Sequence, residues 1–202
     1  HRTDRIPDSA LAAIEKLRQK HRIILATGRD MDNYYSIAYR DLIRPDAIVH
    51  MNGAKITVGG RLVFEHLFEQ DLVRRLLAFC EENGYGIGAT IGDDDFYIHP
   101  EIIAAGDIRF WGSCGRRFQD PYRLLSMPVR ALAFVGSPEQ AAHVEQAFPE
   151  LRLPLFASGH GADVVRRGIS KAEGLRRLAV LFGENPDLSG TVAFGDSLND
   201  LE

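Results

Sequence analysis

The 202-residue sequence has few cysteines, no long apolar run and no excess of basic charge. Cys80 and Cys114 are its only cysteines and lie far apart, which excludes a disulfide scaffold and a cysteine-based zinc site. Its apolar runs are only a few residues long, whereas a membrane-spanning helix needs about 20. The net charge of -4 argues against nucleic acid as the main partner. We therefore expect a soluble, cytoplasmic protein that binds a small molecule.

The composition is that of a folded globular protein, with 45% hydrophobic and 26% charged residues. At roughly 150 residues per domain, the length allows one large domain or two small ones. The sequence does not indicate an oligomeric state.

Helices and strands alternate in the first 54 residues. Residues 7–20 have helical spacing of apolar side chains, and short apolar runs at 22–26 and 47–50 flank a linker that is compatible with a helix. A crossover of this length makes the two strands parallel. Ligands bind at the carboxyl ends of such strands, where Thr27 and Asn52 lie.

The pattern then changes to that of an inserted α+β domain, which we predict over residues 55–161. Alternating runs joined by Gly59 and Gly60 predict a hairpin over 55–66. The other predicted elements of this domain are helices at 70–82 and 138–148 and strands at 85–89, 96–98, 129–135 and 151–156. Residues 106–127 have no clear pattern and receive no assignment.

Alternation of strand and helix returns after residue 161, with a strand at 162–165, a helix at 170–182 and a strand at 191–194. We therefore predict an α/β fold whose core domain is discontinuous. Its two parts are residues 1–54 and 162–202, and they flank the inserted domain.

Three short stretches place polar groups where an α/β sheet presents them to a ligand. They are Ala26-Thr27-Gly28-Arg29, Ile169-Ser170-Lys171 and Gly195-Asp196-Ser197-Leu198-Asn199-Asp200. In the first, a hydroxyl precedes a glycine whose backbone N–H can approach a phosphoryl oxygen closely. A simple turn into the next helix explains that stretch equally well.

Lys171 is predicted in the first turn of a helix, where the helix dipole disfavours a cation. A bound anion would resolve this conflict, and a compact ammonium suits a phosphoryl oxygen. The alternative is a solvated surface lysine.

Asp196 directly follows an apolar strand, with Asn199 and Asp200 close behind it. Oxygen ligands clustered at a strand end suit Mg²⁺. The alternative is a polar loop in which an aspartate caps a helix.

Together, these three stretches resemble the motifs of the haloacid dehalogenase superfamily of phosphohydrolases in order and separation. The resemblance is strongest to its Cof-type branch, which has a type IIB cap. That branch tends to carry an Asn-Gly-Ala like Asn52-Gly53-Ala54 before its inserted α+β cap. The resemblance implies a Rossmann-like core with a parallel sheet and a C2B-type cap over residues 55–161.

The resemblance also implies a role for each matched residue. The implied catalytic residues are Thr27, Lys171, Asp196 and Asp200. The implied phosphate-binding residues are Thr27, Gly28, Asn52, Lys171 and Asn199, and Mg²⁺ would be bound at Asp196, Asn199 and Asp200. This division suits phosphoryl transfer, which depends mostly on positioning and charge stabilisation.

The nucleophile of that superfamily is the first aspartate of an Asp-x-Asp-Gly motif, which this sequence lacks. Asp93-Asp94-Asp95 is not a substitute, because Phe96 rather than glycine follows it, and we expect a solvated turn there. The simplest interpretation is a chain clipped at both ends, with the motif before His1 and the C-terminal part of the core after Glu202.

The expected function of the intact protein is Mg²⁺-dependent hydrolysis of small phosphorylated metabolites, sugar phosphates in particular, through an aspartyl-phosphate intermediate. Two alternatives stay open at this point. One is a phosphomutase of the same capped family, and the other is a noncatalytic phosphate-binding regulatory module.

Overall fold

A computed structural model describes residues 6–34, 36–112, 114–156, 158–195 and 200. Within these residues the first part of the chain forms, in order, α1 (Asp8–Arg18), β1 (Ile24–Ala26), α2 (Ile37–Ile43), β2 (Ala47–His50), β3 (Lys55–Val58) and β4 (Arg61–Glu65). The four strands make one sheet in the order β1-β2-β3-β4. β1 and β2 are parallel, as the crossover predicts, and β2, β3 and β4 are successively antiparallel.

The chain continues with α3 (Gln70–Glu82), β5 (Gly86–Ile91), β6 (Asp94–Ile98), α4 (Pro100–Trp111), β7 (Phe118–Gln119), β8 (Leu132–Val135), α5 (Pro138–Ala147), β9 (Leu151–Arg152), β10 (Ala162–Arg166) and α6 (Lys171–Leu181). The strands form a second sheet in the order β7-β6-β5-β8-β10-β9. Residues 106–127, which have no assignment from sequence, contain the end of α4, β7 and a 3-10 helix at Pro121–Ser126.

Membership of the two sheets differs from the sequence-based expectation in two places. The β3–β4 hairpin, expected in the inserted domain, pairs with β2 in the first sheet. β10, expected in the core, pairs with β8 and β9 in the second sheet. The chain therefore passes between the sheets after β4 and again after β10, and the domain bounds 55–161 stay a prediction.

Each sheet buries its own apolar cluster. The larger cluster joins the second sheet to α3, whose Leu76 and Leu77 are fully buried, and it includes Phe134 and the thiol of Cys80. Burial raises the pKa of Cys80 to about 12, so this cysteine is a core residue. The smaller cluster packs Leu178 of α6 against Ala47 and Val49 of β2. Among the described residues, no helix is both long and apolar enough to cross a membrane.

Two local predictions are wrong. Residues 191–194 form no strand, and Val192 and Phe194 are 80% and 89% exposed, because none of the described strands pairs with them. The second concerns Asp93-Asp94-Asp95: Asp93 is exposed in a turn, as expected, but Asp95 is fully buried in β6. Its carboxylate accepts hydrogen bonds from Thr90 Oγ1 at 2.6 Å and from an Arg116 guanidinium N–H at 3.1 Å.

Candidate phosphate-binding site

Thr27 and Gly28 follow β1 and lie beside the turn that follows β2. The Thr27 N–H donates to Val49 O at 2.9 Å, and the Asn52 N–H donates to Thr27 O at 3.0 Å. The Arg29 N–H donates to Thr27 Oγ1 at 3.1 Å, so the Thr27 hydroxyl keeps its own proton for another acceptor. The structure therefore brings together three of the predicted phosphate-binding residues.

Asn52 holds a left-handed backbone conformation, with φ 52° and ψ 33°, which asparagine tolerates better than most residues. This turn brings Gly53 against the N-terminus of α6. A Cβ atom added to Gly53 would lie 2.2 Å from the carbonyl oxygen of Ser170, directly before Lys171. Because no side chain separates them, the Asn52 turn and the α6 N-terminus stay in contact.

Lys171 is the first residue of α6, and Ser170 caps the helix by accepting the Glu173 N–H at 3.1 Å. The Lys171 ammonium donates to Asp200 Oδ1 at 2.6 Å, and its side chain is only 12% exposed. It is therefore not a solvated surface lysine. In this structure, a carboxylate supplies the negative charge that we expected from a bound ligand.

The predicted residues Asp196 and Asn199 lie outside the described part of the chain. Of the expected metal ligands, Asp200 is described, beside Gly195, where an added Cβ would lie 2.6 Å from the Asp200 Cβ. Aspartate and asparagine offer the oxygen donors that Mg²⁺ prefers, so the chemistry of this donor set fits that ion. The ligand roles stay predictions.

Asp163 is a site residue that sequence reasoning missed. It lies in β10 of the second sheet, and its Oδ2 accepts a hydrogen bond from Asn52 Nδ2 at 2.7 Å. A Cβ added to Gly28 would lie 2.9 Å from the same oxygen. Burial raises the pKa of the Asp163 carboxyl to about 6, although the Asn52 hydrogen bond and the Lys171 charge act in the opposite direction. The sequence signal that could have identified Asp163 is its position as the lone acidic residue within the apolar run 162–165.

A second polar cluster lies on the loop after Gly28. Asp30, Asp32 and His50 bring ligand-type atoms within 4.8 Å of one another. However, the Lys55 ammonium lies among them and donates to Asp30 Oδ1 at 3.0 Å and to Asp32 Oδ2 at 2.5 Å. The buried Nδ1 of His50 accepts the Met31 N–H at 3.1 Å. The cluster is thus a network of ion pairs and hydrogen bonds that fixes the loop, not an open cation site.

The other ring nitrogen of His50, Nε2, lies 3.0 Å from Thr57 Oγ1. Burial of Asp30 opposes its ionisation, yet the contacts with His50 and Lys55 hold the pKa of Asp30 well below its usual range. Lys55 supplies the compensating positive charge.

Replacing Lys55 with methionine is expected to lower the free energy of unfolding by about 1–3 kcal/mol near neutral pH, because it leaves the half-buried carboxylate of Asp30 without its ammonium partner, whereas the exposed Asp32 keeps its ion pair with Arg40. The pKa of Asp30 is depressed in the folded state, so its ion pair stabilises above the unfolded pKa of about 4 and is lost as the pH falls below it. Urea unfolding near pH 7 and again below pH 4 measures both effects. Lys16→Met, at an exposed lysine of α1, is the control, and a loss that does not shrink in acid contradicts the assignment.

Comparison with known proteins identifies the family of the chain. Residues 1–202 match the haloacid dehalogenase-like hydrolase family. YkrA of Bacillus subtilis, which carries a provisional phosphatase name, is 26% identical over 98% of this chain and 75% of its own length. A provisionally named phosphatase of Haemophilus influenzae is 22% identical over 98% of this chain and 74% of its own.

Solved structures of similar proteins agree with this family assignment. A sugar phosphatase of HAD subclass IIB superposes with a TM-score of 0.81 at 25% identity, over 98% of this chain and 76% of that protein. A structure from work on a trigonal-bipyramidal intermediate in a phosphoryl-transfer superfamily gives 0.80 at 26% identity, with the same coverage. These matches confirm the predicted α/β fold class with its cap and the predicted enzyme class. The chain therefore belongs to the haloacid dehalogenase-like hydrolases.

Proposed function

We propose that the intact protein is a Mg²⁺-dependent phosphatase that acts on small phosphorylated metabolites. The observation that carries the proposal is the convergence of the Thr27-Gly28 loop, the Asn52 turn and the N-terminus of α6 in a chain of this hydrolase family. Similarity to a sugar phosphatase makes sugar phosphates the first substrates to test. The proposal places the enzyme in the cytoplasm and gives it neither a nucleic-acid nor a membrane partner.

The phosphoryl group would bind between the loop after β1 and the start of α6. The Thr27 hydroxyl, whose oxygen accepts the Arg29 N–H, can direct its proton to a phosphoryl oxygen. The Gly28 N–H would be a second donor, and its missing side chain lets the ligand approach the backbone closely. The Lys171 ammonium would offset the negative charge of the phosphoryl oxygens.

Mg²⁺ would be held by Asp200 with Asp196 and Asn199, and when bound it would supply further positive charge at the phosphoryl oxygens. Asp200 would also keep the Lys171 side chain oriented through their 2.6 Å hydrogen bond. The proposed aspartyl-phosphate needs a nucleophilic aspartate, and the Asp-x-Asp-Gly motif that would supply it does not occur in this sequence. The contribution of this chain is therefore to bind and orient the phosphoryl group and to stabilise its charge.

The proposal predicts that the full-length enzyme releases phosphate from p-nitrophenyl phosphate and from a panel of sugar phosphates when Mg²⁺ is present. Chelation of Mg²⁺ is expected to abolish this release. Product analysis separates the alternatives, since a phosphomutase yields an isomeric sugar phosphate and a regulatory module binds phosphate without turnover. The absence of phosphate release with every ester would refute a phosphatase.

A further inference from the structure

Asp163 places a carboxylate beside the proposed phosphate-binding loop. Its Oδ2 is 2.7 Å from the Asn52 amide nitrogen and would lie 2.9 Å from a Cβ on Gly28. Because a Cβ is about 2.5 Å from the nitrogen of its own residue, the carboxylate lies within about 5–6 Å of the Gly28 nitrogen. An anion that accepts the Gly28 N–H would thus be within about 9 Å of a second negative charge.

The groups around Asp163 compensate only part of this charge. The residues that face it from the loop after β1 and the turn after β2, Gly28 and Asn52, are uncharged. Lys171 of α6 acts on the carboxylate electrostatically, but its ammonium also donates to Asp200. Of the basic residues of its own strand, Arg166 pairs with Glu69.

We propose that Asp163 takes up a proton when a phosphoryl anion occupies the site, which links anion binding to the protonation of this carboxyl group. This inference rests on the proposed function, because it places the anion at Gly28. Two neighbouring negative charges in a poorly hydrated site repel each other, and protonation of one removes the repulsion. The proton comes from solvent and binds Oδ1, so that Oδ2 continues to accept the Asn52 hydrogen bond.

The state of Asp163 in the free protein makes this step accessible near neutral pH. Burial already raises the pKa of Asp163 to about 6, so the group is mostly ionised at about pH 7 and needs only a modest further rise to become protonated. By linkage, an anion that raises this pKa must bind more tightly as the pH falls.

Calorimetric titration of the full-length protein with sulfate tests the inference, because sulfate keeps its two charges across the pH range used. Titration at about pH 7 in two buffers of different ionisation enthalpy gives the number of protons taken up per sulfate. If binding raises the pKa by about 1.5 units, the protein takes up about 0.7 proton per sulfate and its affinity falls about tenfold between pH 6 and pH 8. Asp163→Asn is expected to remove both effects and to bind sulfate more tightly above pH 7.

Two further variants complete the experiment. Asp8→Asn, at an exposed aspartate of α1, should take up protons like the native protein. Lys171→Ala should lose sulfate binding, which places the ion at this site. If sulfate does not bind, or binds equally well without Lys171, the proposed phosphate site is contradicted and this inference with it. If Lys171 is required but the native protein takes up no proton, or Asp163→Asn takes up as many as the native protein, the inference alone is overturned.

Discussion

Alanine in place of Lys171 is expected to lower kcat/KM of the full-length enzyme about 1000-fold, which is the scale of losing one preorganised charge-stabilising donor. The loss should fall on both KM and kcat, because this ammonium would bind the phosphoryl group before transfer and would also stabilise the charge that develops on its oxygens. The side chain is well placed for the role, since it is 12% exposed and oriented by Asp200. Steady-state hydrolysis of p-nitrophenyl phosphate measures the effect.

Three comparisons make the Lys171 result specific. Lys171→Arg should not restore activity, because a planar guanidinium cannot occupy the position of a compact ammonium beside Asp200. Lys20→Ala, at an exposed lysine after α1, should retain native activity. Circular dichroism and thermal unfolding should show an intact fold for Lys171→Ala. Activity within a few-fold of native in that variant would remove Lys171 from the site.

Among the helices, α3 and α5 were predictable from the sequence, whereas α4 was not predicted. The limits of α3 follow from an apolar face that repeats every three or four residues, and the structure places it at Gln70–Glu82, as predicted. For α5, Ser137 and Gln140 form a capping box that marks the helix start. Each of these signals is contained within one or two turns of chain, so it can be read without knowledge of the rest of the fold.

Strand pairing was less predictable because it depends on distant parts of the chain. The apolar run of β10 predicts a strand correctly but does not say which sheet it joins. The run at 191–194 looks equally strand-like and has no partner among the described strands. An apolar run therefore indicates the tendency to form a strand, whereas the neighbours of the strand decide whether and where it pairs.

The same distinction applies to the site. Thr27, Gly28 and Lys171 can be found from short motifs, because each motif consists of a few consecutive residues. Asp163 meets Asn52 across 111 positions of sequence, and Lys55 meets Asp30 across 25, so no spacing rule could reveal either contact. The motifs therefore identified the proposed phosphate-binding residues, while the groups that set their charge environment emerged only from the fold.

Alanine at Gly53 is expected to cost about 3–5 kcal/mol of unfolding free energy, the largest stability effect predicted for this protein. Gly53 has φ +99°, and this left-handed conformation alone costs an alanine about 1–2 kcal/mol. The added Cβ would also lie 2.2 Å from Ser170 O. That oxygen cannot easily move, because it accepts the Gly174 N–H at 2.9 Å in the first turn of α6.

Gly60→Ala separates the two contributions. Gly60 has φ +78°, also left-handed, but no atom lies within 4 Å of the position of its Cβ. Gly60→Ala should therefore lose only the conformational part of the unfolding free energy. The difference in unfolding free energy between the two variants then measures the cost of the clash. Urea unfolding of both variants gives that difference, and equal losses would contradict a close contact between Gly53 and Ser170.

The clash at Gly53 should also lower the catalytic activity. Gly53 lies against the same face of α6 as β2, since a Cβ on Gly174 would lie 2.5 Å from Val49 Cγ1 and 3.5 Å from Gly53 Cα. Relief of the clash must therefore separate the turn that holds Asn52 from the start of α6 that holds Lys171. We expect folded Gly53→Ala to lose at least about tenfold in kcat/KM, since small displacements at a phosphoryl site are costly. Gly60→Ala, in the β3–β4 hairpin, should keep native activity. An equal loss of kcat/KM in Gly60→Ala would show that the loss in Gly53→Ala does not come from displacement of the site.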